Sequence, residues 1–146
     1  MRRFVLHILL LALVSLCASC EFHTLSNGSL DGFWQLSQVD TLTTSGSTDM
    51  VPRRIFWSVQ ARLLQVSDLN YVHDECILRF EHADGRLRVF SPYVVDHFGQ
   101  DVTVDDAEQL HPFGIQQTDE TFVVEQLNDD ALVLRGSVLR LSFRRY

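Results

Sequence analysis

The run His-Asp-Glu-Cys at residues 73–76 holds the residue types that could bind a metal ion. Its spacing on a turn and a strand does not match a zinc signature, and no second ligand pair follows it. We therefore interpret the run as a solvated turn and predict no metal site. Cys76 alternates with Leu78 and Phe80, which indicates a small buried hydrophobic side chain and not a reactive thiol.

Two groups of carboxylates could supply the acid and the base of a hydrolase. They are Asp105, Asp106 and Glu108 at a predicted helix start, and Asp129 and Asp130 in a predicted turn. Adjacent acids at such positions are normally capping groups. The chain also lacks a Gly-x-Ser-x-Gly motif, a glycine-rich phosphate loop and any lysine, which excludes Schiff-base chemistry. We therefore predict that the protein is not an enzyme and needs no cofactor.

The charge balance of the chain is acidic. Its 146 residues include 19 acidic and 12 basic side chains, all of the latter arginine, for a net charge of −7. The leader carries Arg2 and Arg3 and no acid, so −7 less those two positive charges leaves −9 on the remainder. An acidic domain repels nucleic acid, so we expect no nucleic-acid partner.

The first residues of the chain have the pattern of a secretory signal peptide. Arg2 and Arg3 precede an apolar run over residues 4–16, and small residues follow that run. As a helix, the run would cover about 20 Å, which is shorter than the hydrocarbon core of about 30 Å. We therefore predict a signal peptide over residues 1–19 and not a membrane-spanning helix.

The end of this leader, Cys-Ala-Ser-Cys at residues 17–20, resembles the lipobox of bacterial lipoproteins. The resemblance implies that Cys20 is acylated, for example with palmitate, and becomes the first residue of a membrane-anchored protein. Ordinary signal cleavage nearby is the alternative. If Cys20 is acylated, residues 20–30 form a lipidated N-terminus and tether. We expect a cell-envelope location at the outer membrane, facing the periplasm. Surface exposure is a weaker alternative, because Glu21 is the only acidic residue of the tether.

After the tether, the dominant hydrophobic period is two, which is typical of half-buried strands. Clear alternation covers residues 33–39, 55–63, 76–81, 87–89, 122–125, 132–134 and 139–143, and weaker strands are predicted at 64–67 and 100–104. Residues 41–49 are rich in Thr, Ser and Gly and are predicted as a loop. Short strands joined by turns favour an antiparallel sandwich or barrel.

Turn and helix signals separate these strands. Ala-Asp-Gly at residues 83–85 predicts a hairpin, and the doublet at residues 63–64 predicts a bulge or a turn. One short helix is predicted over residues 105–110. Thr103 with Asp106 resembles a capping box at its start, and Pro112 ends it.

Gly32-Phe33-Trp34 opens the first strand and matches the Gly-x-Trp motif of lipocalins. The resemblance implies that Trp34 closes one end of a barrel and that an arginine of the last strand packs across it. Alternation along the last strand puts Arg145 on the same face as Phe143, so we predict that Arg145 is this arginine. The alternative is that Gly-Phe-Trp is only the start of a strand and that Arg145 belongs to a frayed C-terminus. A guanidinium over an indole contributes about 0.5–2 kcal/mol.

Residues 30–34, 55–60, 122–127 and 139–143 make the chain similar to small lipocalin-like lipoproteins of Bacteroides-type bacteria, a family of unknown function. The resemblance implies an all-β fold, a small antiparallel lipocalin-like (calycin-like) β-barrel of about eight strands with one short helix, over residues 31–146.

Large aromatic side chains are expected on the inner face of this barrel. Besides Trp34, they are Trp57, Phe80, Phe122 and Phe143. One hypothesis is that they line a pocket for a small hydrophobic or amphipathic ligand, with inward polar groups such as Ser58 or Gln126 orienting it. The other is that they fill the interior, so that the protein is an envelope interaction module acting through its outer surface.

Overall fold

The computed structural model describes residues 26–96 and 99–146, so the predicted leader and Cys20 lie outside the described residues. The described chain is built from strands and short 3₁₀ helices. The strands are β1 (Gly32–Thr41), β2 (Gly46–Asp49), β3 (Ile55–Gln60), β4 (Leu63–Asp68), β5 (Cys76–Ala83), β6 (Arg86–Val94), β7 (Val102–Thr103), β8 (Glu120–Leu127), β9 (Ala131–Arg135) and β10 (Leu139–Arg145). The 3₁₀ helices are η1 (Gly28–Leu30), η2 (Val51–Arg53) and η3 (Ala107–Phe113).

Eight of these strands close into an antiparallel barrel. Their order is β10-β9-β8-β6-β5-β4-β3-β1, and β1 pairs again with β10 to complete the ring. β2 pairs with residues 38–41 of β1, and β7 pairs with the end of β6. The predicted all-β, lipocalin-like barrel is confirmed.

Alternation along the strands sends one set of side chains into the barrel. Trp57 pairs with Val66 and both are fully buried, whereas the neighbouring Ser58 is half-buried and Gln60 is exposed. This two-residue period is the reason that the strand pattern is readable in the sequence. The resulting core runs continuously through the barrel.

The strand predictions need three corrections. The Thr/Ser/Gly-rich segment at residues 41–49 contains β2, all of whose residues are exposed, so it has no apolar alternation to mark it. The single run at residues 55–63 is two strands, because the chain turns at Ala61, which has a φ of 56°. The weak strand at 100–104 is the two-residue β7, whereas the weak strand at 64–67 lies within β4.

The predicted helix over residues 105–110 is displaced and is of a different type. It is the 3₁₀ helix η3, which begins at Ala107 with Asp106 as its N-cap; the Asp106 carboxylate accepts a hydrogen bond from the Glu108 N–H at 2.9 Å. Thr103 takes no part in this cap because it lies in β7. Pro112 lies inside the helix and does not end it.

Strand directions separate the connections into two ends of the barrel. The end that we call the closed end carries η1 and the tight turns at residues 61–62, 84–85 and 128–130. The opposite end, the loop end, carries η2, η3 and the longer connections. Within the described ranges, no helix is long and apolar enough to cross a membrane.

Candidate functional site

The closed end is built around the indole of Trp34. This side chain is fully buried, and its Nε1–H donates a hydrogen bond to the carbonyl of Leu30 at 2.9 Å. Trp34 and Arg145 are Cα partners across β1 and β10, and the Arg145 Cζ lies 4.3 Å from the centroid of the indole ring. The structure therefore brings the two residues of the expected closing pair together.

Arg145 also satisfies backbone groups around the closed end. Its Nη1 donates to the carbonyl of Asp31 at 2.9 Å and its Nη2 to that of Ser29 at 2.8 Å, while Nε donates to the carbonyl of Asp129. The guanidinium thus ties η1, the start of β1 and the β8–β9 turn to the end of β10. Its flat, five-donor shape suits it to several acceptors at once.

Gly32 explains the first position of the Gly-x-Trp spacing. Its φ is 139°, a conformation that side-chain-bearing residues rarely adopt. A Cβ at this position would also collide with the Arg145 guanidinium. The glycine therefore lets the arginine reach over Trp34, and the motif is a packing requirement of the closed end.

Three of the four aromatic residues expected in the interior meet at its centre. The Trp57 ring centroid lies 4.9 Å from that of Phe143 and 6.1 Å from that of Phe122, and all three side chains are buried. Phe80 makes no ring contact with them among the described residues, but it is buried in the same hydrophobic core and also borders a cleft in the barrel wall. The four aromatic side chains therefore belong to one packed core.

The loop end of the interior is occupied by η3. Leu110, Phe113 and Ile115 are fully buried, and the carbonyl of Phe113 accepts a hydrogen bond from Trp57 Nε1–H at 3.1 Å. The inserted segment thus satisfies the polar group of the largest aromatic side chain at the barrel centre. Sequence reasoning placed a helix here but did not predict that it enters the barrel; the apolar residues 110, 113 and 115 were the available signal.

Buried polar groups are already used by the protein itself. The carboxylate of Asp68 accepts hydrogen bonds from the backbone N–H groups of Asn70 and Val72, and that of Glu120 accepts from Gln116 N–H at 2.5 Å. Burial raises the pKa of Glu120. Throughout the part of the chain that the structure describes, no buried side-chain nitrogen or oxygen lacks a partner.

The polar residues expected to orient a ligand do not face the interior. Ser58 lines a groove on the outer surface together with Phe33, and Gln126 is exposed. Gln126 has the sequence parity of the buried Phe122, but a bulge in β8 between Val124 and Gln126 shifts the pairing with β9 and turns Gln126 outward. This part of the pocket hypothesis is wrong because Ser58 lies on the outward parity of β3 and the bulge turns Gln126 outward.

The potential metal ligands at residues 73–76 are dispersed. The His73 ring packs edge-on against Phe113, with centroids 6.3 Å apart, and the Cys76 side chain is buried. Burial, with smaller contributions from Asp74 and Glu75, raises the pKa of the Cys76 thiol to about 11. Among the described residues, no group of three or more His, Cys, Asp or Glu side chains has the geometry to hold a metal ion.

Two of the five carboxylates considered for acid–base chemistry, those of Asp106 and Asp129, have structural partners. Asp106 caps η3, and the Asp129 carboxylate accepts a hydrogen bond from Ser29 Oγ at 3.0 Å. Asp130 lies in the turn organised by Asn128, whose side-chain oxygen accepts its N–H at 2.9 Å. The two groups also lie at opposite ends of the barrel, so they do not converge on one cleft.

An aromatic cluster on the outer wall was not predicted. Phe33 and Phe56 stack with ring centroids 4.6 Å apart, and Tyr146 packs edge-on against both. Phe56 is 1% exposed although its parity is outward. The signal in the sequence was an aromatic residue at an outward position in each of two neighbouring strands.

Comparison with known proteins gives a family and a fold. The sequence profile described as a lipocalin-like domain matches residues 13–146. A lipocalin-like protein from Bacteroides uniformis ATCC 8492, solved by crystallography, is 21% identical, with a TM-score of 0.62 over 82% of this chain and 100% of that one. An uncharacterized protein from Bacteroides eggerthii DSM 20697 is 17% identical, with a TM-score of 0.56 over 80% of this chain and 98% of that one. No curated protein matches. Since the profile covers most of its length, the chain belongs to the family of lipocalin-like domain proteins.

Proposed function

We propose that this protein is a non-catalytic, lipid-anchored module of the cell envelope that acts through the outer surface of a filled barrel. The observation that carries the proposal is the packing around Trp57. Its indole contacts Phe122 and Phe143, and its N–H is satisfied by Phe113 of the inserted η3. A barrel packed in this way offers partners its walls and loops, not its interior.

The state of the buried polar groups supports the same proposal. Specific ligand sites combine apolar walls with a few polar groups that converge on the ligand. Here the buried carboxylates of Asp68 and Glu120 bind neighbouring backbone N–H groups, and the described part of the chain has no unpaired buried polar atom. A ligand entering the interior would therefore have to displace both packed rings and η3.

The proposed anchor suggests how the barrel is oriented. Ser26, the first described residue, lies six positions after Cys20, a distance of at most about 20 Å in an extended chain. η1 follows directly and packs at the closed end through the hydrogen bond from Arg145 to Ser29. An acylated Cys20 would hold the closed end towards the membrane, at the outer membrane facing the periplasm, and leave the loop end pointing away from it.

Acylation is tested by labelling cells that express the full chain with a clickable fatty acid. The wild-type chain and the Cys17→Ala variant should incorporate the label, whereas Cys20→Ala should not. Cys17→Ala is the matched control because it removes a cysteine from the same segment. Equal labelling of Cys20→Ala and wild type would refute the anchor.

The filled interior is tested by native mass spectrometry of the protein extracted gently from envelopes. The expected spectrum contains the anchored protein with no further adduct. As a positive control, Phe143→Ala opens space beside Trp57, and an apolar cavity of this kind takes up small apolar molecules. A lipid-like adduct on the wild-type protein that is lost on denaturation would contradict the proposal.

A lipid-like adduct on the wild-type protein would favour a second candidate function, the binding of a small hydrophobic or amphipathic ligand. The supporting observation is a pair of clefts, of about 330 Å³ and 110 Å³, on either side of Pro112 in η3. Val72 and His73 line both, and Tyr71 beside them is 88% exposed. Outward movement of η3 would join these clefts to the interior.

A further inference from the structure

One strand of the barrel wall has an unpaired edge. β4 and β5 pair over four residues each, from Leu63 with Arg79 to Val66 with Cys76, but β5 continues to Ala83. Residues 80–83 pair with β6 on one side, and no described strand pairs with them on the other. The edge arises because β4 begins only at Leu63, after the turn at residues 61–62, whereas β5 continues beyond Arg79, the partner of Leu63, as far as the β5–β6 hairpin.

A cleft of about 570 Å³ follows this edge on the outer wall. Six side chains from three strands and one turn line it: Arg62, Leu63, Arg79, Phe80, Glu81 and Phe90. Leu63 is 44% exposed and gives the cleft an apolar surface. Unpaired backbone groups therefore lie next to a pocket that could accept a side chain.

The charges at the cleft favour an acidic partner. Neither Arg62 nor Arg79 forms an ion pair or a side-chain hydrogen bond with another residue in the described ranges. The one acid of the lining, Glu81, is paired with Arg88 at 3.3 Å, and Arg88 also pairs with Asp119 at 2.6 Å. Two guanidinium groups with free donors are thus exposed on a chain whose net charge is −7.

We propose that the free edge of β5 binds an extended, acidic segment of a partner protein. The segment adds to residues 80–83 as a further strand. Its carboxylates pair with Arg62 and Arg79, and the apolar side chains that alternate with them point to the opposite face, where Phe80 lines the cleft. Main-chain hydrogen bonds supply affinity in this mode of recognition and adjacent pockets supply specificity. A lone anion would engage the arginines but leave the edge unpaired. The inference rests on the interaction role proposed above, and names the partner's chemistry.

The probe is a fluorescent eight-residue peptide of alternating Glu and Val with blocked termini, titrated against the purified full-length protein. Its affinity should fall about tenfold or more in Arg62→Gln/Arg79→Gln, as expected for the loss of a charge-assisted hydrogen bond. Arg53→Gln/Arg54→Gln is the matched control, because it removes the same charge at the loop end and should leave the affinity unchanged. A peptide of alternating Gln and Val should bind as weakly as the double variant.

N-methylation of the probe tests strand addition without changing the protein. Methyl groups on the alternate amides that face the edge should abolish binding, whereas methyl groups on the other amides should not. Equal binding of both methylated peptides would overturn strand addition, and equal binding by Arg62→Gln/Arg79→Gln would overturn the charge pairing. Binding to anionic vesicles but not to the peptide, or peptide binding that appears only after deletion of residues 21–25, would assign the edge to another occupant and overturn the proposal. None of these results bears on Cys20 acylation or on the filled interior.

Discussion

Replacement of Arg145 by methionine removes the guanidinium while keeping much of the side-chain length. Three backbone carbonyls, of Ser29, Asp31 and Asp129, then lose their donor, and Trp34 loses its cation–π partner. Three hydrogen bonds at about 1 kcal/mol each and a cation–π contact of about 0.5–2 kcal/mol set the scale. These contributions add to about 3.5–5 kcal/mol, and because Arg145 is half-exposed we expect a loss slightly below that range, about 3 kcal/mol.

Equilibrium urea unfolding measures this loss, with the fluorescence of the two buried tryptophans and far-ultraviolet circular dichroism as probes. For a domain of this size, about 3 kcal/mol corresponds to a fall in melting temperature of about 10 °C. Arg135→Met is the matched control, because Arg135 forms an exposed ion pair with Glu125 at 2.8 Å. Such pairs contribute little, so this variant should stay within about 1 kcal/mol of wild type. Equal stabilities of the two variants would refute the argument that Arg145 closes the barrel.

Three further predictions use the same protein. Gly32→Ala should lower the unfolding free energy by about 2 kcal/mol or more, and by more than Gly85→Ala, because only the Cβ added at residue 32 meets Arg145. In an Arg145→Met background the cost of Gly32→Ala should be smaller. Additive effects of the two substitutions would contradict a collision between the Cβ and the guanidinium. Burial raises the pKa of Glu120, so its stabilising contribution is full below the unfolded-state pKa and is lost as pH rises through the folded-state pKa. The urea midpoint of wild type should therefore fall relative to that of Glu120→Gln as the pH rises above about 4.5, and parallel pH profiles of the two proteins would argue against this role of Glu120. Alkylation of Cys76, followed by peptide mapping, should be at least about 100-fold slower in the native state than in urea, because its pKa is raised to about 11 and it is buried; similar rates would show that the thiol is accessible.

The strand pattern was largely predictable because burial in a barrel imposes a period of two. Trp57 and Val66 lie inside and Gln60 lies outside, as alternation requires. Parity along β10 also selected Arg145, since it depends only on the sequence distance from Phe143. β2 was not predictable because its four residues are all exposed and it has no buried face to repeat.

The occupant of the interior was not predictable from the sequence. η3 is a short 3₁₀ helix with a proline inside it, and its stability depends on Leu110 and Phe113 entering the barrel and not on helix propensity. Hydrophobic periodicity shows which face of a long helix or strand is buried. The position of η3 instead depends on contacts with distant strands, such as that of Trp57 with Phe113. The free edge of β5 was hidden for a similar reason, since it depends on where a neighbouring strand stops.

The seam between β1 and β10 also determines when the barrel can form. The hydrogen bonds from Arg145 to Asp31 and Ser29 join residues 114 and 116 positions apart. Contacts between such distant residues slow folding, because a long loop must close before they form. Until β10 has been synthesised, β1 and β9 keep unpaired edges on which another chain could add. An emerging chain is therefore an open, aggregation-prone sheet for most of its synthesis, and we expect it to depend on a holding chaperone until the last strand arrives and removes both edges at once.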